Sequence, residues 1–235
     1  MIIVIQCAAS KIPGAGHLIS GSGERVVFVA DPQAAPAKVG TEYARPDDPS
    51  GSGLTWRESL QQYNSHNVCA NPHGLTPAAK LYKNGVYRRL VDRFASEKVF
   101  ILSAGWGIIR SDFLTPYYDI TFSPEARGAN SYKRRRASDL YRDFPFPEDA
   151  QEDIVFFGGK DYLKLFIALT GMASGRRTIY YNSKPAPSMP GCVFERFQTK
   201  AKTNWHYLCA NTFLDRGTEV LCPPMLDHIA QQPGR

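Results

Sequence analysis

The sequence predicts an α/β fold: a single three-layer domain, residues 1–235, with a mixed, largely parallel sheet and helices on both faces. Three observations lead there. Met1 to Cys7, Val99 to Leu102 and Asp153 to Phe157 are short apolar runs with the β-branched and aromatic content of strands buried on both sides. Small-residue turns follow them, such as Ala8-Ala9-Ser10-Lys11 and Gly158-Gly159. Amphipathic segments of helical period stand between and after them.

Taken in order, Met1 to Cys7 is a buried strand and Val26 to Ala30 a second. Residues 12–56 form a long insert, and Asp31 to Gly53, with four of the chain's 17 prolines, reads as loop. Trp56, Leu60 and Tyr63 mark a short helix. Asn71-Pro72-His73-Gly74 is turn chemistry, and Thr76-Pro77 supplies an N-cap and a first-turn proline for one helix over Ala78 to Ser96. Its Leu81, Tyr82, Val86, Leu90, Val91 and Phe94 share a side, away from Lys80, Lys83, Arg88, Arg89 and Arg93.

The Val99 strand opens into Ser103-Ala104-Gly105-Trp106-Gly107 and then a polar, aromatic loop carrying Tyr117-Tyr118-Asp119. Ser131 is read as the cap of a helix from Tyr132 to Tyr141, whose start holds Lys133, Arg134, Arg135 and Arg136. Four cations there oppose the helix macrodipole, which hints at a phosphate partner; a solvated basic turn is the plainer alternative. Asp153 to Phe157 leads through Gly158-Gly159-Lys160-Asp161 into a helix ending near Leu169. Strands follow at Arg176 to Tyr181 and Gly191 to Phe197, then a helix over Thr203 to Leu214 with Trp205, Leu208, Cys209 and Phe213 inward. Residues 223–235 read as a frayed tail.

The net charge of +6 favours an anionic partner, nucleic acid or nucleotide first. Five scattered cysteines, an odd number, argue for reduced thiols rather than a disulfide framework. His66, Cys69 and His73 lack the spacing of a zinc finger, so neither metal nor cofactor is expected. No apolar run reaches membrane-spanning length and no secretory leader begins the chain, so a cytoplasmic protein without a membrane partner is expected.

Ligands of open α/β sheets sit beyond the carboxyl ends of strands. The site residues are therefore sought in the loop after strand one (Cys7, Ser10, Lys11), at Ser103, Gly105 and Trp106, at Tyr117, Tyr118 and Asp119, and at Lys160 and Asp161. The plainer alternative is that Asp119 caps a turn and the aromatics are packing.

Four of these pieces, in this order, resemble one known group. They are the Cys7 to Lys11 loop, Pro77-Ala78 with Leu81-Tyr82, ILSAGWGIIRSDFLTPYYDITF at 101–122, and GGKDY at 158–162. Together they are similar to the YaaA-like proteins and the related domain found beside base-modifying transglycosylases. The resemblance covers residues 1–11 and 77–165 and is most specific over 101–122. It implies an α/β fold akin to the uracil-DNA glycosylase type, with DNA binding and nucleobase handling. It also implies a pocket formed by the strand-one loop, the Ser103 to Gly107 turn and Tyr118-Asp119.

The expected activity is that of a DNA glycosylase acting on a flipped, modified base, in defence against modified foreign DNA. Asp119 would stabilise the oxocarbenium-like transition state. Trp106, Tyr117 and Tyr118 would stack on the base, with Ser10, Lys11 or Lys160 on a phosphate or on the leaving base. Arg134, Arg135 and Arg136, with Lys133, would grip the backbone. Two alternatives stand beside it: a DNA-binding stress protein without chemistry, and a base-exchange or nucleotide-processing enzyme on RNA or free nucleotide.

Overall fold

A computed structural model describes residues 1–66, 70–136 and 138–216 of the chain. Its centre is β1 (Ile2–Gln6), whose Ile3, Val4 and Ile5 are fully buried. Parallel partners flank it: β5 (Val99–Ser103) on one side and β8 (Ile154–Phe157) on the other. Beyond β8 lie β9 (Arg177–Tyr181) and β10 (Cys192–Arg196), both parallel, and beyond β5 lies antiparallel β6 (Gly107–Arg110). The order is β10-β9-β8-β1-β5-β6, a mixed and mostly parallel sheet.

Helices cover both faces, and two consecutive residues of β8 show it. Phe156 stacks at 4.3 Å on Phe166 of α4 (Lys160–Leu169), while Phe157 meets Phe213 of α5 (Trp205–Arg216) at 5.3 Å. Successive strand residues point to opposite faces, so α4 and α5 lie on opposite sides. The face of α5 is shared by α3 (Val86–Phe94), which packs on β1, β5 and α5. The α/β architecture is thus the one that the apolar runs announce.

Several elements differ from expectation. Within Asp31 to Gly53, β3 (Thr41–Ala44) pairs in parallel with β2 (Arg25–Phe28) in a separate two-stranded sheet. Thr41 and Tyr43 suit a half-buried strand, and pairing satisfies the backbone that β2 would otherwise leave open. After α1 (Trp56–His66), Thr76–Pro77 forms β4, paired with β7 (Leu114–Thr115), and Pro77 rather than Thr76 takes the N-cap position of the helix that follows, with no side-chain cap bond. The single helix over Ala78 to Ser96 is two, α2 (Ala78–Leu81) and α3, because Tyr82 turns extended and Asn84-Gly85 interrupt the hydrogen bonding. The loop after β5 begins as the hairpin strand β6.

No helix runs from Tyr132 to Tyr141. Residues Gly128–Lys133 make a 3₁₀ turn, and the chain then runs beside Thr121, with backbone bonds from Thr121 to Lys133 and from Arg135 to Thr121. The extended path avoids the clash of four cations with a helix N-terminus and lets Lys133 and Arg135 each reach a carboxylate. Leu208 of α5 is 48% exposed rather than inward, whereas Cys209 and Phe213 are core. Cys7, Cys192 and Cys209 carry free thiols. Cys69, Cys222 and the tail 223–235 lie outside the described residues. Among those described, no helix is long and apolar enough to cross a membrane.

Candidate functional site

The strand order locates a crevice. From β1 the chain crosses to β5 on one side, while β8 leads through α4 to β9 on the other. Neighbouring strands whose connections diverge leave a gap at their carboxyl ends, and here the gap lies between β1 and β8. Gln6 closes its floor: its Oε1 accepts the Gly159 N–H at 2.6 Å, tying the end of β1 to the β8–α4 turn. A cavity of about 280 Å³ opens there, lined by Cys7, Thr121, Asp161, Tyr162, His206 and Tyr207 among others. It adjoins a second of about 420 Å³ at the ends of β8 and β9, the two sharing Gly159, Asp161, Lys202 and Trp205.

Beneath the crevice lies a buried polar network. The Cys7 Sγ is 3.2 Å from the Tyr162 hydroxyl, the Tyr82 and Tyr118 hydroxyls are 2.7 Å apart, and the Tyr87 hydroxyl donates to the Gln6 carbonyl at 2.8 Å and lies 3.1 Å from that of Tyr207. Burial pushes the phenols of Tyr82, Tyr87, Tyr118 and Tyr162 well above their ordinary range, so they serve as protonated donors. The Lys11 ammonium sits 4.1 Å from the centre of the Tyr118 ring, with the Ala8 carbonyl 3.4 Å away. Burial lowers its pKa, opposed by the charges of Cys7 and Asp119. Lys11 thus links the crevice to Asp119, whose half-buried carboxylate pairs with Lys133 at 2.8 Å. The β2–β3 sheet fixes this residue: the Asp119 N–H donates to the Phe28 carbonyl at 2.7 Å.

The residues expected at the site therefore divide. Cys7, Lys11, Tyr118, Asp119 and Lys133 form one connected cluster, with Ser103 buried at the end of β5, its Oγ accepting the Gly105 and Trp106 N–H groups. Tyr117 stands beside it, half-buried against His17. Lys160 and Asp161, both exposed, line the strand-end cavities. Ser10 points to solvent. Trp106 and Tyr118 have no exposed surface, so they are walls of the core and cannot offer a stacking face to an entering base. Two buried arginines take the carbonyls of the Ser103 to Gly107 turn, Arg57 those of Gly105 and Trp106, Arg135 that of Ala104. Arg135 is further committed to Asp143, leaving only Arg134 and Arg136 of the basic run exposed. Among the described residues, no group of three His, Cys, Asp or Glu side chains is placed to hold a metal.

Sequence reasoning missed Tyr162, Lys202, His206 and Tyr207. Tyr162 closes the GGKDY motif but was given no role there, and nothing local marks the other three; they reach the crevice because α4 and α5 both begin at it. His206 is 4% exposed and its Nε2 has no hydrogen-bond partner. Burial pushes its imidazole from the ordinary 6.5 down to about 4. The unfolded chain then binds the proton better, so the cost is absent above pH 6.5 and grows as the pH falls toward 4, reaching about 3 kcal/mol. The urea midpoint of the wild type is expected to fall more between pH 7 and 4.5 than that of His206→Gln.

Comparison of the chain with family models, with curated proteins and with solved structures returns no match.

Proposed function

We propose that the protein cleaves the N-glycosidic bond of a nucleobase, with a modified base in DNA as the foremost substrate and removal of marked foreign DNA as its role. The observation that supports this best is the placement of Asp119: a half-buried carboxylate held by Lys133, electrostatically joined through Lys11 to the crevice between β1 and β8. Breaking the bond develops positive charge at the anomeric carbon and negative charge on the departing base. Asp119 stabilises the first and orients water; the Lys11 ammonium stabilises the second. The resemblance of residues 101–122 to the YaaA-like group and the +6 charge point the same way.

The test is release of base from duplexes carrying ordinary, damaged and hypermodified bases, read as alkali-labile abasic sites. Asp119→Asn is expected to slow release roughly 10²- to 10³-fold with DNA affinity retained. Intact DNA with every substrate, alongside undiminished binding, would replace this reading by that of a DNA-binding protein without chemistry.

A further inference from the structure

At the start of α4, backbone donors face the crevice. Gly159 is its N-cap and no side chain caps the helix. The Gly159 N–H is taken by Gln6 and that of Tyr162 by the Gly159 carbonyl, which leaves the N–H groups of Lys160 and Asp161 at the helix mouth. Ten residues of α4 stand behind them with the positive end of their dipole toward the cavity.

A second observation comes from another element. His206, on the first turn of α5, lines the same cavity while its Nε2 lacks any partner. Buried polar groups in native proteins are paired, so an orphan beside a cavity calls for a ligand atom. Charge and shape narrow the ligand. Lys160 and Lys202 reach the groove against the single carboxylate of Asp161, and Trp205 with Tyr181 gives its larger part an aromatic wall. At about 420 Å³ that part suits a nucleoside.

We propose that the groove across the ends of β1, β8 and β9 binds the phosphate of a nucleotide at the N-terminus of α4. Lys160 and Lys202 flank the phosphate, His206 completes its hydrogen bonds, and the nucleoside lies toward Trp205. Tetrahedral anions are the ligands that such helix ends hold best, since converging N–H groups match their oxygens. The inference deepens the reading of the crevice given above but concerns binding alone. The nucleotide is either free or part of a nucleic-acid strand, and both present the same phosphate chemistry.

Calorimetric titration with adenosine, adenosine 5′-monophosphate and a 5′-phosphorylated oligonucleotide tests it on the full chain. The monophosphate is expected to bind at least about tenfold more tightly than adenosine. The Lys160→Ala, Lys202→Ala double variant should lose about that factor for the monophosphate and nothing for adenosine, and Asp161→Asn should gain affinity. His206→Phe should weaken the monophosphate; His206→Gln, which keeps a donor, should restore part of the loss and so separates hydrogen bonding from packing. Tighter binding of the oligonucleotide identifies a strand as the source, tighter binding of the monophosphate a free nucleotide. Equal affinity for adenosine and its monophosphate, no binding of either phosphate, or indifference to the paired lysine change overturns the proposal. Because turnover is not read, failure of base release leaves this result standing, and failure here leaves cleavage at Asp119 standing.

Discussion

Arg135→Ala is expected to destabilise the protein by about 3–5 kcal/mol, read as a lower urea midpoint at unchanged slope. The guanidinium is 7% exposed and makes three hydrogen bonds: two parallel ones to the Asp143 carboxylate, at 2.8 and 2.6 Å, and one to the Ala104 carbonyl at 2.9 Å. It also lies 3.9 Å from the centre of the Tyr141 ring. Truncation strands a carboxylate that is 5% exposed and a carbonyl in the turn after β5, and the penalty of those orphans outweighs the pair's own net worth. Lysine should not rescue, because one ammonium cannot serve a carboxylate fork and a separate carbonyl together. Arg135→Met combined with Asp143→Leu should recover much of the loss, since no buried charge then remains unpaired. Arg134→Ala and Arg136→Ala, both at exposed positions, should stay within about 0.5 kcal/mol of wild type.

Gly107→Ala is expected to cost about 3 kcal/mol or more. The residue sits at φ +84°, which penalises any L side chain, and its methyl would lie 2.6 Å from the Phe144 nitrogen and 2.7 Å from the Phe144 oxygen. Those are backbone atoms engaged in a ladder: Phe144 donates to the Trp106 carbonyl and accepts from Ile108 at 2.9 Å each. Relief therefore requires breaking that pairing along β6. Gly21→Ala, with open space around the added methyl and an ordinary backbone angle, is the matched control and should change the midpoint little. Thermal or urea denaturation of the two variants side by side separates the local clash from a general glycine effect.

The sheet was largely legible because burial on both faces turns β1, β5 and β8 into unbroken apolar runs. What escaped needed information beyond a local window. Gly107 to Arg110 reads as loop after a glycine-tryptophan turn, and only its pairing with β5 makes it a strand. The run Lys133 to Arg136 has helical length, but the alternation of an extended chain lets Lys133 find Asp119 and Arg135 find Asp143. At the site, strand-end logic picks out Cys7 and Lys11, which follow β1 closely, and Tyr118 and Asp119 in the longer segment that β5 leads into. His206 and Lys202 lie far along the chain and became visible only when the strand order set α5 over the ends of β1 and β8.

The position of β1 also constrains how the chain acquires its structure. Of the strands in this sheet β1 is made before the others, yet it occupies the middle, where Ile3 pairs with Val99 and Ile2 with Ile154. Both partners are distant in sequence, so neither contact repays its loop-closure entropy until most of the chain exists. The apolar side chains of β1 must wait for β5 and β8 to emerge from synthesis. The β1–β5 and β1–β8 pairings bridge the longest sequence separations in the sheet, so the crevice between β1 and β8 forms only after β8 has been made.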